Sequence, residues 1–227
     1  TMKKFKVMTL AMCLLTIFSC QTKQGTGALI GTGGGAVLGA IIGKIAGNTA
    51  VGAAIGGAVG AGTGAIIGRH MDKVAEQAKQ QVENAKVEEV TDNNGLKAVK
   101  VTFDSGILFA TNKAELNSAS KTDLAKFSNV LKNNADLQVD IQGYASSDGS
   151  NEVNQVLSNN RANSVKAYLV NTCGVPSSQI KSARGFGETN LITNADGTEN
   201  VKASRRVEVY LYASQAMIDK ANAGQLN

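Results

Sequence analysis

Glycine recurring at every fourth position constrains this chain more than any other feature. Gly27, Gly31, Gly35, Gly39 and Gly43 are followed, 25 positions on, by Gly52, Gly56, Gly60, Gly64 and Gly68. The stretch Gly39-Ala40-Ile41-Ile42-Gly43-Lys44 returns as Gly64-Ala65-Ile66-Ile67-Gly68-Arg69, and Gly47-Asn48-Thr49 between the copies has the composition of a turn. Four residues advance an α-helix by about 400°, so the glycines form a stripe that drifts about 40° per step. A partner helix crossing at an angle can follow such a stripe with close backbone contact. Each arm is about 20 residues, or about 30 Å, which matches a hydrocarbon core. In water each glycine costs about 1 kcal/mol against alanine in a helix. The interleaved Ile, Val and Leu oppose a flexible linker, which would be polar. The pattern predicts a helical hairpin over 27–70 and leaves open whether it inserts, lies on a surface or self-associates. Gly39 to Lys44 is one residue short of a P-loop, with Ile45 where a metal-binding hydroxyl belongs, so no nucleotide site is expected.

The stretch resembles the glycine-zipper segments of bacterial envelope lipoproteins. The residues before it agree. Lys3, Lys4 and Lys6 precede an apolar run from Val7 to Phe18, too short to span a bilayer. Ile17-Phe18-Ser19-Cys20 then resembles a lipobox. The resemblance implies a signal peptide at 1–19, lipidation of Cys20 and a short linker over 20–26. More than one acyl chain gives stable anchoring. Gln21, in place of an inner-membrane retention aspartate, points to the outer membrane.

Composition narrows the function classes. The formal charge of +5 falls to +2 once Lys3, Lys4 and Lys6 are removed, and no basic run interleaved with aromatics remains. Nucleic acid is therefore not an expected partner. The cysteines are Cys13, Cys20 and Cys173, and His70 is the single histidine, so neither an internal disulfide nor a structural zinc site is expected. No cofactor is called for.

Downstream of the glycines, Val74, Ala78 and Val82 recur at four-residue steps among Lys, Glu and Gln. This predicts a solvated helical stalk over 71–95, ended by the turn Thr91 to Gly95. Residues 96–212 then alternate strand and helix patterns. Strands are expected at 96–103, 137–142, 180–186 and through Val207, Val209 and Leu211. Helices are expected at 118–133 and 151–170. The spacing of Asn112 and Glu115 suggests a capped helical turn. The fold class is α+β, with helices packed on one face of a sheet. Residues 213–227 read as a tail.

Several blocks resemble the OmpA-like domain. They are Phe103 to Phe109, Thr111-Asn112-Lys113, Gly143-Tyr144, Leu157-Ser158-Asn159-Asn160-Arg161-Ala162, Gly174-Val175, Gly185-Phe186-Gly187-Glu188 and Arg205-Arg206-Val207-Glu208. The resemblance implies a sheet of βαβαβ type that binds peptidoglycan through the diaminopimelate of its stem peptide. That ligand end carries an ammonium and a carboxylate on one carbon. Arg161 matches the family's carboxylate-binding arginine, and a guanidinium suits a carboxylate because its fork donates two parallel hydrogen bonds. Asn112, Arg205 and Arg206 match blocks near the pocket. The loop Gly143-Tyr144-Ala145-Ser146-Ser147-Asp148-Gly149-Ser150 departs from the family, because Ser146 stands where the ammonium-binding aspartate belongs. Either Asp148 replaces that anion, or the site is weakened or retuned. No Ser-His-Asp set is present, and Cys173 has no histidine near it in sequence, so an enzyme is not expected.

The implied protein is an outer-membrane lipoprotein with its C-terminal domain in the periplasm, joining the bilayer to peptidoglycan. The alternative is a structural protein that forms homo-oligomers through its zipper, with a weakened wall site.

Overall fold

The computed structural model describes residues 61–92, 95–104, 108–110 and 112–226. Cys20, the signal segment, the linker and zipper residues 27–60 lie outside them. The strands are β1 (Ala85–Thr91), β2 (Lys97–Asp104), β3 (Leu137–Tyr144), β4 (Ile180–Gly185) and β5 (Arg206–Ala213). The helices are α1 (Ala61–Gln81), α2 (Ser118–Asn133), α3 (Asn151–Ala167), the single turn α4 (Val201–Ser204) and α5 (Gln215–Asn222). A π-turn, Tyr168–Thr172, continues α3.

The sheet runs β1-β2-β5-β3-β4. Neighbours are antiparallel except for the parallel pair β3 and β4. Since β5 runs against both β2 and β3, its first residue lies beside their last ones: Arg206 pairs with Asp104 on one side and Tyr144 on the other. This juxtaposition creates the edge at which the site forms.

Alternation sorts the strand residues onto two faces. Val99, Val101, Phe103, Val139, Ile141, Val207, Val209 and Leu211 join one core with Leu124, Phe127 and Leu131 of α2 and Ala162 and Val165 of α3. Phe103 and Phe127 meet edge to face at 5.6 Å. On the other face Tyr210 and Tyr212 cluster with Val90 and Ala98, and Phe186 packs against them. The α+β class and most expected elements stand within a residue or two.

Four expectations are corrected. The solvated stalk does not exist in that form. Helix α1 is integral to the domain: Ile67, Met71, Val74, Ala75 and Ala78, with Val82 just after the helix, are all in the core, at 0–1 % exposure. An apolar stripe among polar residues is legible in the sequence, but what covers the stripe is not. Second, the chain from Ala85 to Thr91 forms β1 and returns as β2 through a turn in which Asp92 accepts a 2.9 Å hydrogen bond from the Leu96 amide. Third, the tail carries α5, whose Met217, Ile218 and Ala221 are buried, and Thr63 Oγ1 of α1 donates to Asn222 Oδ1 at 2.6 Å. Fourth, Asn112 does not cap a helix. It sits at φ 55°, and the cap of α2 is Asn117, whose side chain accepts from the Ser120 amide at 2.9 Å.

The end of the second glycine arm, residues 61–68, is therefore the first part of α1. Among the described residues no helix is long and apolar enough to cross a membrane.

Candidate functional site

Two glycines set the position of α3. A Cβ on Gly143 would lie 2.1 Å from the Ser158 carbonyl oxygen, and one on Gly185 would lie 2.1 Å from the Asn159 amide nitrogen. The helix therefore rests directly on the backbones of β3 and β4, which only glycine permits. Ser158 Oγ accepts from the Gly187 amide at 2.9 Å and fastens the loop after β4 to the same turn. Arg161 follows Ser158 by three residues, so it is aimed by this seat.

Arg161 is 4 % exposed. Its Nε donates to the Lys113 carbonyl at 3.0 Å, and its guanidinium lies 5.3 Å from the centre of the Phe109 ring. Among the described residues it forms no ion pair with a carboxylate. Burial pulls its pKa down from the ordinary arginine value, and the nearby charge of Arg205 pulls the same way. Both effects follow from a cation held without a compensating anion.

The loop 145–150 faces this region. Ser146 is 2 % exposed, and its Oγ accepts from Arg205 Nε at 2.9 Å. Asp148 Oδ2 accepts from Arg205 Nη2 at 2.5 Å and from Ser146 Oγ at 3.3 Å. Asp148 thus comes back toward Ser146, with Arg205 as its partner. Its side chain stays 60 % exposed and that of Arg205 38 %. Asn112, exposed, lines a shallow apolar hollow of about 420 Å³ with Val153, Val156 and Leu157 of α3.

Arg206 is placed otherwise than the sequence suggests. It is 3 % exposed, its Nε pairs with Glu208 Oε1 at 2.6 Å, and its guanidinium lies 4.0 Å from the centre of the Tyr144 ring. Tyr210 donates to the other Glu208 oxygen at 2.6 Å. The pair is a buried internal network on the sheet, committed to its own partners, because an even position on β5 faces away from the helices.

Two residues at the site, Asn154 and Glu199, carry no mark in the sequence, and a third, Phe109, is marked only as part of a family-like block and not as a partner of Arg161. Asn154 is 3 % exposed and its Nδ2 donates to the Ser146 carbonyl at 3.1 Å and to Glu188 at 2.8 Å, fixing the loop from below. Glu199 accepts from the Ser147 hydroxyl at 2.5 Å and from the Ser147 amide, which holds its pKa below the ordinary value. Phe109 supplies the ring beside Arg161. Only the tertiary approach of loops up to 52 positions apart reveals them.

A mixed sheet with helices on one face and an arginine-bearing edge at the ends of β2 and β3 has the architecture of an OmpA-like domain. Residues 108–206 match the OmpA family, and residues 2–72 match the YMGG-like Gly-zipper. The chain therefore carries both an OmpA family domain and a glycine-zipper domain. It is 38 % identical over 120 residues to Outer membrane protein A of Citrobacter freundii, covering 48 % of this chain and 49 % of that protein. It is 30 % identical over 124 residues to Outer membrane porin F of Pseudomonas aeruginosa, covering 54 % and 35 %. The match thus spans between about a third and a half of these relatives' length. A MotB-like protein from Desulfovibrio vulgaris superposes with TM-score 0.53 at 18 % identity, over 67 % of this chain and 96 % of that one. The periplasmic domain of Helicobacter pylori MotB gives TM-score 0.50 at 18 % identity, over 66 % and 94 %. These two likenesses establish the fold.

Proposed function

We propose that this protein is an outer-membrane lipoprotein that grips peptidoglycan non-covalently through the edge formed by β2, β3, β5 and α3. The observation that carries the reading is Arg161, a nearly buried guanidinium with a backbone carbonyl and a ring for company and no carboxylate among the described residues. An uncompensated buried charge costs several kcal/mol, and a carboxylate arriving as ligand offsets that cost. A stem peptide ending in a diaminopimelate carboxylate supplies such an anion. The membrane end of the tether is Cys20, with the glycine zipper beside it. The curated relatives are by name outer-membrane proteins, which supports an envelope setting.

The test uses the full chain with purified peptidoglycan sacculi and membrane vesicles. Wild-type protein is expected to sediment with sacculi and to bring vesicles down with them. Arg161→Ala should lose the sacculi at unchanged melting temperature, and Cys20→Ala should lose the vesicles only. Equal retention of Arg161→Ala and wild type on sacculi would remove the reading.

A further inference from the structure

We infer that Ser146 and Asp148 together form the ammonium-binding acceptor of this site, and that in the ligand-free chain Arg205 occupies it as an internal cation which the ligand displaces. This deepens the wall-binding reading and rests on it.

The geometry is that of a split carboxylate. A guanidinium grips a carboxylate by offering two parallel N–H donors to its two oxygens. Here Nε and Nη2 of Arg205 make that grip, but on oxygens of two residues, Ser146 Oγ at 2.9 Å and Asp148 Oδ2 at 2.5 Å. Ser146 alone is neutral and cannot hold a cation. Joined to Asp148 by the 3.3 Å hydrogen bond, it presents one hydroxyl and one anionic oxygen where an aspartate at 146 would present two. The Asn154 side chain holds the Ser146 carbonyl, so the Ser146 half of the acceptor is fixed by the fold.

Arg205 can leave. Its ion pair with Asp148 is largely solvated, and such pairs contribute about 0–1 kcal/mol. Its positive charge also acts on Arg161, which makes its present place unfavourable. A ligand end with an ammonium and a carboxylate on one carbon satisfies both partners: the ammonium takes Asp148 and Ser146, and the carboxylate takes Arg161. Glu199, held on Ser147 and within electrostatic reach of Arg205, remains as the anion toward which the released guanidinium turns. The consequence is a selectivity rule. A carboxylate without an adjacent ammonium meets Arg161 but cannot exchange Arg205 off Asp148.

The experiment is calorimetric or NMR titration of the full chain with meso-diaminopimelate and with pimelate, the same dicarboxylate without amines. Wild type is expected to prefer diaminopimelate by about tenfold or more, the value of one charged hydrogen bond. Asp148→Asn should erase that preference to within about twofold, with pimelate binding no weaker than in wild type. Arg205→Gln should bind diaminopimelate more tightly than wild type, because no exchange is needed. A preference retained in Asp148→Asn overturns the inference, and weaker diaminopimelate binding in Arg205→Gln overturns the displacement. Arg161→Ala should lose both ligands. Unchanged binding there, or no binding by wild type, instead removes the wall-binding reading itself.

Discussion

Replacing Gly143 by alanine tests whether the seat of α3 sets the site. The added Cβ would lie 2.1 Å from the Ser158 carbonyl oxygen, about 0.9 Å inside the 3.0 Å below which real Cβ contacts are essentially never found. The obstruction is backbone, so no side-chain rotation relieves it. Either α3 lifts from β3 by about that amount, or the strand bends at its register with Val207. Overpacking of this kind costs about 1–3 kcal/mol. The lift also carries Arg161, three residues beyond Ser158, away from the Lys113 carbonyl. Both losses are measurable on one preparation: a urea midpoint for stability and co-sedimentation with sacculi for binding. The expected result is a lowered midpoint at unchanged slope, together with binding reduced more than the unfolded fraction explains. A midpoint equal to wild type would refute the close-approach argument. A lowered midpoint with full binding per folded molecule would refute the link from Gly143 to Arg161.

Met71→Ala tests the placement of α1. The side chain is fully buried, so truncation should cost about 2–5 kcal/mol in urea unfolding, whereas in a solvated stalk it would cost almost nothing. Asp140→Asn tests the buried carboxyl on β3, which is fully buried with one oxygen on Ser182 Oγ at 2.7 Å. Burial pushes its pKa above the ordinary 3.8. The folded chain therefore binds that proton more tightly than the unfolded chain, so wild-type stability falls as pH rises from 3.8 through the raised value. Asp140→Asn should resist urea better than wild type at pH 7, with the gap closing toward pH 3.8. A gap of equal size at both pH values would refute the assignment.

The electrostatics of the edge depend on two adjacent arginines with opposite fates. Arg206 points to the far face of β5, and Glu208 two residues on neutralises it at 2.6 Å. Losing either partner would leave the other buried and unpaired, which is strongly destabilising. Arg205, one residue earlier and outside the strand, reaches the loop after β3 instead. Period-two alternation decides this split, but only once the strand's first residue is known.

The sequence by itself determined the α+β class, the positions of α2, α3 and β2 to β5 and the place of Arg161 on α3. These follow from local periodicity and turn residues, which act over a few residues. It also marked Ser146 as a departure and Asp148 as its neighbour in the loop. It did not determine that α1 and β1 belong to the domain, because an amphipathic stripe records that a face is apolar and not what covers it. Nor did it separate Arg205 from Arg206, or bring Asn154, Glu188 and Glu199 to the loop after β3. Those facts belong to the tertiary structure. Hydrogen bonds and ion pairs between segments up to 159 positions apart depend on sheet order, register and helix docking, which local sequence does not encode.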